Sequence, residues 1–229
     1  MKATVKQLVP PLLWTALSNA RARAQRLRSS AGGDPSHQSL EDYWDPKMAE
    51  MLDHWGEANV WIDVQLLFAN AHGRVLDIAC GTGKVMELLA ANPAIEVHGF
   101  DISDMLIDKA AQRGIARERL RVCDATKMDY ADDAFDFGYS IGSLEHFTGD
   151  GLIACLQECK RVVRGTSFHQ IPVSADGEDH GWIRTFQSYY NNSVEWWLER
   201  FGSVFPGVRA IDSTWRDTIS TGKWFVCHR

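Results

Sequence analysis

Residues 75–90, VLDIACGTGKVMELLA, place an apolar run before two closely spaced glycines and a helical stretch directly after them. Such a segment can fold in few ways. The apolar run reads as a buried strand and KVMELLAAN as a helix that stops before Pro93. Gly81 and Gly83 let the linking loop adopt positive φ and let its backbone come close to a ligand. A strand that passes straight into a helix needs a crossover back to the sheet, which predicts parallel pairing.

The rest of the chain repeats that alternation. IEVHGFD, RLRVCDA, FDFGYSI and SFHQIPV read as strands, while SDMLIDKAAQRG and GLIACLQECKRVV read as helices. Ser103 is the expected N-cap of the first of these helices, and Gly114 closes it. Residues 174–190 are polar, glycine-bearing and aromatic, which suits a loop over a site. A helix follows, with Asn192 as expected cap and Val194, Trp197, Leu198 and Phe201 on one face. Residues 207–214 and 223–228 then read as two strands around Thr221-Gly222. The expected fold is α/β: a mostly parallel seven-stranded sheet ending in an antiparallel hairpin.

The chain divides near residue 73 into an N-terminal helical extension, 1–72, and the α/β domain, 73–229. In the extension, residues 12–28 read as a helix, 29–39 as a Gly/Ser/Pro linker and 41–70 as one or two tryptophan-rich helices. The apolar stretch Leu8–Leu17 is about half of the ~20 residues that span a bilayer, and Pro10-Pro11 interrupts it. Arginines from Arg21 onward speak against a cleaved leader. Arg21, Arg23 and Arg28 border the apolar stripe of the 12–28 helix, with Arg26 further round, so a weak contact with a membrane surface is one expectation for it. Docking on the domain or on a second copy is the plainer one.

Composition narrows function. A formal net charge of −6 argues against a nucleic-acid partner. The insert after the fifth strand is also too short for a target-recognition domain. Five cysteines form no even framework, so reduced thiols and a cytoplasmic location are expected. His169, Asp176, Glu178, Asp179 and His180 follow no metal-ligand spacing, and no metal is expected.

The glycine loop discriminates among ligands. A dinucleotide fingerprint needs a third glycine where Met86 stands, and a phosphate-binding P-loop needs Ser or Thr where Val85 stands. What remains is D-I-A-C-G-T-G, with Asp101 ending the second strand 20 residues after Gly81 and Asp124 ending the third in CDAT. Together with DDAFDFGYSIGSLEHF, these elements resemble, in order, the motifs of the class I S-adenosylmethionine-dependent methyltransferases over residues 73–165. The resemblance implies a Rossmann-like doubly wound sheet, with S-adenosylmethionine as cofactor and S-adenosylhomocysteine as product. It places Asp101 at the ribose, Asp124 near the adenine amino group, and Asp77 near the methionine end or as an anchor of the glycine loop, with Ala79, Gly81, Gly83, Ile102, Ala125 and Ser140 as further cofactor-binding residues. Tyr43 and Trp44 fall where the family's N-terminal helices cover it.

Moving a methyl from a sulfonium to a hydroxyl requires a proton acceptor. His146, in the LEHF segment after the fourth strand, and His169, in the fifth, are the candidates, and His180 is a further candidate to contact the acceptor. No amino-methylation motif of the N-P-P-Y type is present. The expected reaction is therefore O-methylation of a small molecule, with no nucleic-acid partner. The alternative is a cofactor-binding protein without transferase activity, distinguished by the lack of a proton acceptor at the site.

Overall fold

The computed structural model describes residues 41–57, 59–185 and 187–229. The expected 12–28 helix, the 29–39 linker and the membrane-surface contact lie outside the described residues. A 3₁₀ turn at Glu41–Trp44 leads into α1 (Pro46–Leu52) and α2 (Val60–Leu67). Then follow β1 (Gly73–Ile78), α3 (Lys84–Leu89), β2 (Ile95–Asp101), α4 (Asp104–Gln112), β3 (Leu120–Val122) and β4 (Phe135–Ile141). The second half holds α5 (Gly149–Val162), β5 (Val163–Ser174), β6 (Trp182–Ile183), β7 (Tyr189–Tyr190), α6 (Val194–Gly202), β8 (Gly207–Arg216) and β9 (Ser220–His228).

Seven strands form one sheet in the order β3-β2-β1-β4-β5-β9-β8, and β6 and β7 form a separate hairpin inside the 174–190 segment. Strands β1 to β5 pair in parallel, while β9 runs antiparallel to both β5 and β8. The order reverses at β1, which has β2 on one side and β4 on the other. Ligands of open α/β sheets bind at the strand C-termini beside such a reversal.

Alternation along the strands divides the core between the two faces. Val75 and Val97 pack with α2, α3 and α4, whereas Leu76, Ile78 and Phe100 pack with α5 and α6. On α6, Trp197 and Phe201 are fully buried, and Phe201 stacks on Phe225 of β9 at 4.9 Å. Each such side chain contributes roughly 1.5–3 kcal/mol by leaving water. The cap of α6 is Ser193 rather than Asn192: its Oγ accepts from Trp196 N–H at 3.1 Å. Asn192 Oδ1 instead accepts from Gly181 N–H at 2.6 Å. Helix α2 belongs to the same layer as the sheet's own helices, since Val60, Val64 and Phe68 are buried with Val75, Tyr139 and Trp224.

One packing detail replaces the missing third glycine. Met86 fills the space between α3 and the sheet, and Gly99 on β2 stands opposite it. A Cβ on Gly99 would lie 2.5 Å from Met86 Sδ and 2.9 Å from Cys80 Cβ. The close approach of helix and strand is thus kept, with the absent side chain moved onto the strand. Among the described residues, no helix is long and apolar enough to cross a membrane.

Candidate functional site

A cavity of about 580 Å³ opens at the C-terminal ends of β1, β2 and β4. At one end lies the glycine loop. Ala79 takes φ +59 and Gly81 φ +53, so the chain turns sharply out of β1. For alanine that conformation costs about 1–2 kcal/mol. A Cβ on Gly81 would meet only Leu52 Cδ1, at 3.3 Å. Gly81 therefore keeps its backbone open to the cavity, as a cradle for a ligand requires.

Acidic groups surround that cradle. Asp101 is buried, and its carboxylate accepts from Gly81 N–H at 2.9 Å and from Ser103 N–H at 3.0 Å. A carboxylate has about four acceptor positions, so capacity remains for ligand hydroxyls. Burial raises the Asp101 pKa, against the pull of those backbone donors. Burial also pushes Asp77 up to about 8, although Tyr139 donates to it at 2.7 Å, and the nearby Asp101 adds to the rise. Asp124 accepts from Thr126 N–H and Oγ1–H, each at 2.8 Å, which fixes the turn after β3. Asp77, Ala79, Asp101, Ile102, Asp124 and Ala125 all line the cavity.

The 41–61 segment roofs it. Tyr43, Met51, Leu52, Trp55 and Trp61 line the cavity from that side. Asp53, the C-cap of α1, accepts from Thr82 Oγ1 at 2.5 Å and pairs with Arg113. Arg113 Nε also donates to Thr82 O at 2.8 Å, so roof, glycine loop and α4 end form one hydrogen-bonded unit.

Beyond β4, a 3₁₀ turn at Leu144–His146 presents two buried titratable groups to the cavity. His146 Nδ1 lies 2.9 Å from Ser188 O. A carbonyl only accepts, so Nδ1 carries the proton and Nε2 keeps its lone pair. Burial lowers the pKa of His146, which holds it neutral. Glu145 Oε1 is 3.8 Å from that Nε2, and burial raises the Glu145 carboxyl to about 8. Glu145, Trp215 and Tyr189 are not among the expected site residues. The SLEHF segment signalled the first, but nothing along the chain brings Trp215 of β8 to Trp55.

Five expected site residues lie elsewhere. His169 is fully buried off the cavity, because its parity on β5 turns it toward α6: Nδ1 is 2.9 Å from Ser140 Oγ, Nε2 is 3.0 Å from Ser167 Oγ, and its ring packs on Phe201. Burial there lowers its pKa to about 3, and both nitrogens are engaged. Ser140 is correspondingly used up as its partner and does not line the cavity. Trp44 is 41% exposed and donates to Asp104 Oδ1 at 2.8 Å, outside the cavity. Gly83 caps α3 with φ +72 and faces α4, where a Cβ would come 2.8 Å from Ala110 Cβ and 2.6 Å from Ile115 Cδ1. His180 likewise bonds Asp176 Oδ1 at 2.8 Å away from the cavity, and Asp179 supports the α6 cap by accepting from Ser193. Among the described residues, no group of three or more His, Cys, Asp or Glu side chains is placed to hold a metal ion.

The two loop glycines should therefore fail differently when replaced. Gly81→Val is expected to abolish cofactor affinity while most stability remains. Gly83→Val overpacks the contact with α4 and is expected to lose about 1–3 kcal/mol of stability. Thermal melts and calorimetric titration of both variants check this, and a Gly83→Val protein that melts like the parent would refute it.

A family described as a methyltransferase domain matches residues 75–166. The chain is 30% identical over 128 residues to methyltransferase GfsG of Streptomyces halstedii, covering 53% of this chain and 45% of that protein. It is 31% identical over 128 residues to O-methyltransferase resE of Aspergillus sclerotiorum, covering 53% of this chain and 48% of that one. The chain thus spans about half the length of these relatives. Among solved structures, Burkholderia thailandensis 1,6-didemethyltoxoflavin-N1-methyltransferase superposes with a TM-score of 0.63 at 17% identity, over 91% of this chain and 89% of that one. Residues 75–166 thus match a methyltransferase domain, and in motif order and sheet the chain is similar to the class I methyltransferases, whose cofactor is S-adenosylmethionine.

Proposed function

We propose that this protein transfers a methyl group from S-adenosylmethionine to a hydroxyl of a small molecule. The carrying observation is a single cavity that joins the Gly81–Asp101–Asp124 cradle to the unprotonated Nε2 of His146. When bound, S-adenosylmethionine supplies a methyl already activated on a sulfonium. The protein's own work is then positional and protolytic. Gly81 and Asp101 hold the nucleoside end, and Asp124 serves the base. The roof from Tyr43 to Trp61 excludes water. His146 Nε2 takes the hydroxyl proton as the oxygen becomes the nucleophile, while Ser188 O fixes the ring.

The placement of His146 favours a transferase over a cofactor-binding protein without activity, because a proton acceptor lines the cavity. A relative bearing the name O-methyltransferase supports the hydroxyl, and the acidic balance supports a small acceptor over nucleic acid. Calorimetric titration tests the cofactor: S-adenosylmethionine and S-adenosylhomocysteine are expected to bind in the micromolar range, and NAD not at all. Binding of NAD with no response to either sulfur nucleoside would overturn the reading.

A further inference from the structure

We propose that the acceptor carries a cationic nitrogen and that Glu145 is the residue that selects it. This deepens the methyl-transfer reading and rests on it. Glu145 is 97% withdrawn from solvent, at 3% exposure, yet lines the cavity, and its Oε2 has no hydrogen-bond partner. A buried carboxyl oxygen without a partner is costly, so one that borders a ligand cavity is explained when a ligand donor meets it.

The surroundings name the donor's charge. Among the described residues, the cavity is lined by the carboxyls of Asp77, Asp101, Asp124, Glu145 and Asp217, against one basic side chain that is fixed in charge, Lys84. Lys84 Nζ is already 2.9 Å from Glu87 Oε2. Asp77, Asp101 and Asp124 sit at the cofactor end, and Asp217 accepts from Ile219 N–H and Ser220 N–H to close the turn before β9. Glu145 is thus the carboxyl left for the acceptor, and among the described residues the one lining cation of fixed charge, Lys84, is already paired with Glu87.

The surroundings also describe the acceptor's body. Gly142 has φ +59, and a Cβ there would lie 3.1 Å from the Trp55 ring and 3.6 Å from Glu145 Oε1. The carboxyl and the indole therefore flank the same glycine. Trp55 in turn stacks on Trp215, with ring centroids 5.4 Å apart and planes at 29°. A carboxylate beside an indole face recognises a nitrogen cation on an apolar or planar frame, through a charge-assisted hydrogen bond and a cation–π contact. Burial holds the carboxyl near a pKa of about 8, so a cationic ligand would draw out its proton and pair with the anion.

Benzylamine and benzoate, equal in size and opposite in charge, test this on the full chain loaded with S-adenosylhomocysteine. Calorimetry at about pH 8 is expected to give at least ~10-fold tighter binding of benzylamine, the scale of one charge-assisted contact. In Glu145→Gln that preference is expected to fall to within about twofold, with S-adenosylhomocysteine affinity unchanged. Equal binding of the two probes, tighter binding of benzoate, absence of benzylamine binding or a preference that survives in Glu145→Gln overturns the proposal. Absence of S-adenosylhomocysteine binding would instead overturn the methyltransferase reading beneath it.

Discussion

His146→Ala lowers methyl transfer by roughly 10²–10⁴-fold, the range for loss of a positioned general base. The expected readout is single-turnover formation of S-adenosylhomocysteine on an acceptor that the parent protein methylates. Cofactor affinity stays within about twofold, because the His146 ring makes none of the hydrogen bonds that set Asp101 and Asp124. A pH profile separates base catalysis from mere structure. Burial lowers the pKa of His146, so the neutral, proton-accepting form persists below the ordinary histidine range. The parent's kcat/KM should hold as pH falls through 6.5 and drop only below it, and that limb should vanish in the alanine variant. His169→Ala is the contrast. It orphans the hydroxyls of Ser140 and Ser167 and opens a void beside Phe201, so it lowers the melting temperature without removing the limb. Parent-like turnover in His146→Ala would eliminate it as the base.

Asp101→Ala is expected to weaken S-adenosylhomocysteine binding by about 30- to 150-fold, equivalent to 2–3 kcal/mol for a lost charge-assisted contact. Two causes act together. The ribose end loses its acceptor, and Gly81 N–H loses the carboxylate that sets the loop. Asp101→Asn retains one acceptor oxygen for the loop and should lose less. Calorimetry of both variants, beside thermal melts, separates ligand contact from loop anchoring. Unchanged affinity in Asp101→Ala would remove Asp101 from the cofactor site.

The meeting of Gly81 and Asp101, at the proposed cofactor end, is legible in the sequence because its parts are local or nearly so. Gly81 and Asp101 occupy the ends of adjacent strands that one βαβ unit joins, and the unit's spacing sets their approach. The acceptor end is not. Trp55 and Trp215 meet across 160 residues, and a roll of apolar and polar letters does not say which sheet positions will face each other. His169 turned on parity alone: one step along β5 decides between the cavity side and α6. Gly83 resembled a ligand-facing residue in sequence, and only its packing on Ala110 and Ile115 reveals a steric requirement of the fold. The shift of the α6 cap from Asn192 to Ser193 is of the same kind, since Gly181, eleven positions upstream, competes for the Asn192 oxygen.

Met86 and Gly99 carry a lesson about motifs as they are usually written. The gap between α3 and β2 has room for one side chain, and here the helix supplies it while the strand yields. The rule behind the third glycine is therefore a shared volume, owned jointly by two positions on different elements. A chain with glycine at 86 loses the closer of the two clashes at 99 and keeps only the one with Cys80, while a chain with methionine at 86 meets both. The two sites should drift as a reciprocal pair, with a coupling energy of the kind that contacting residues show. Pattern searches that count glycines along a single stretch will pass over chains in which the small residue has migrated to the neighbouring strand.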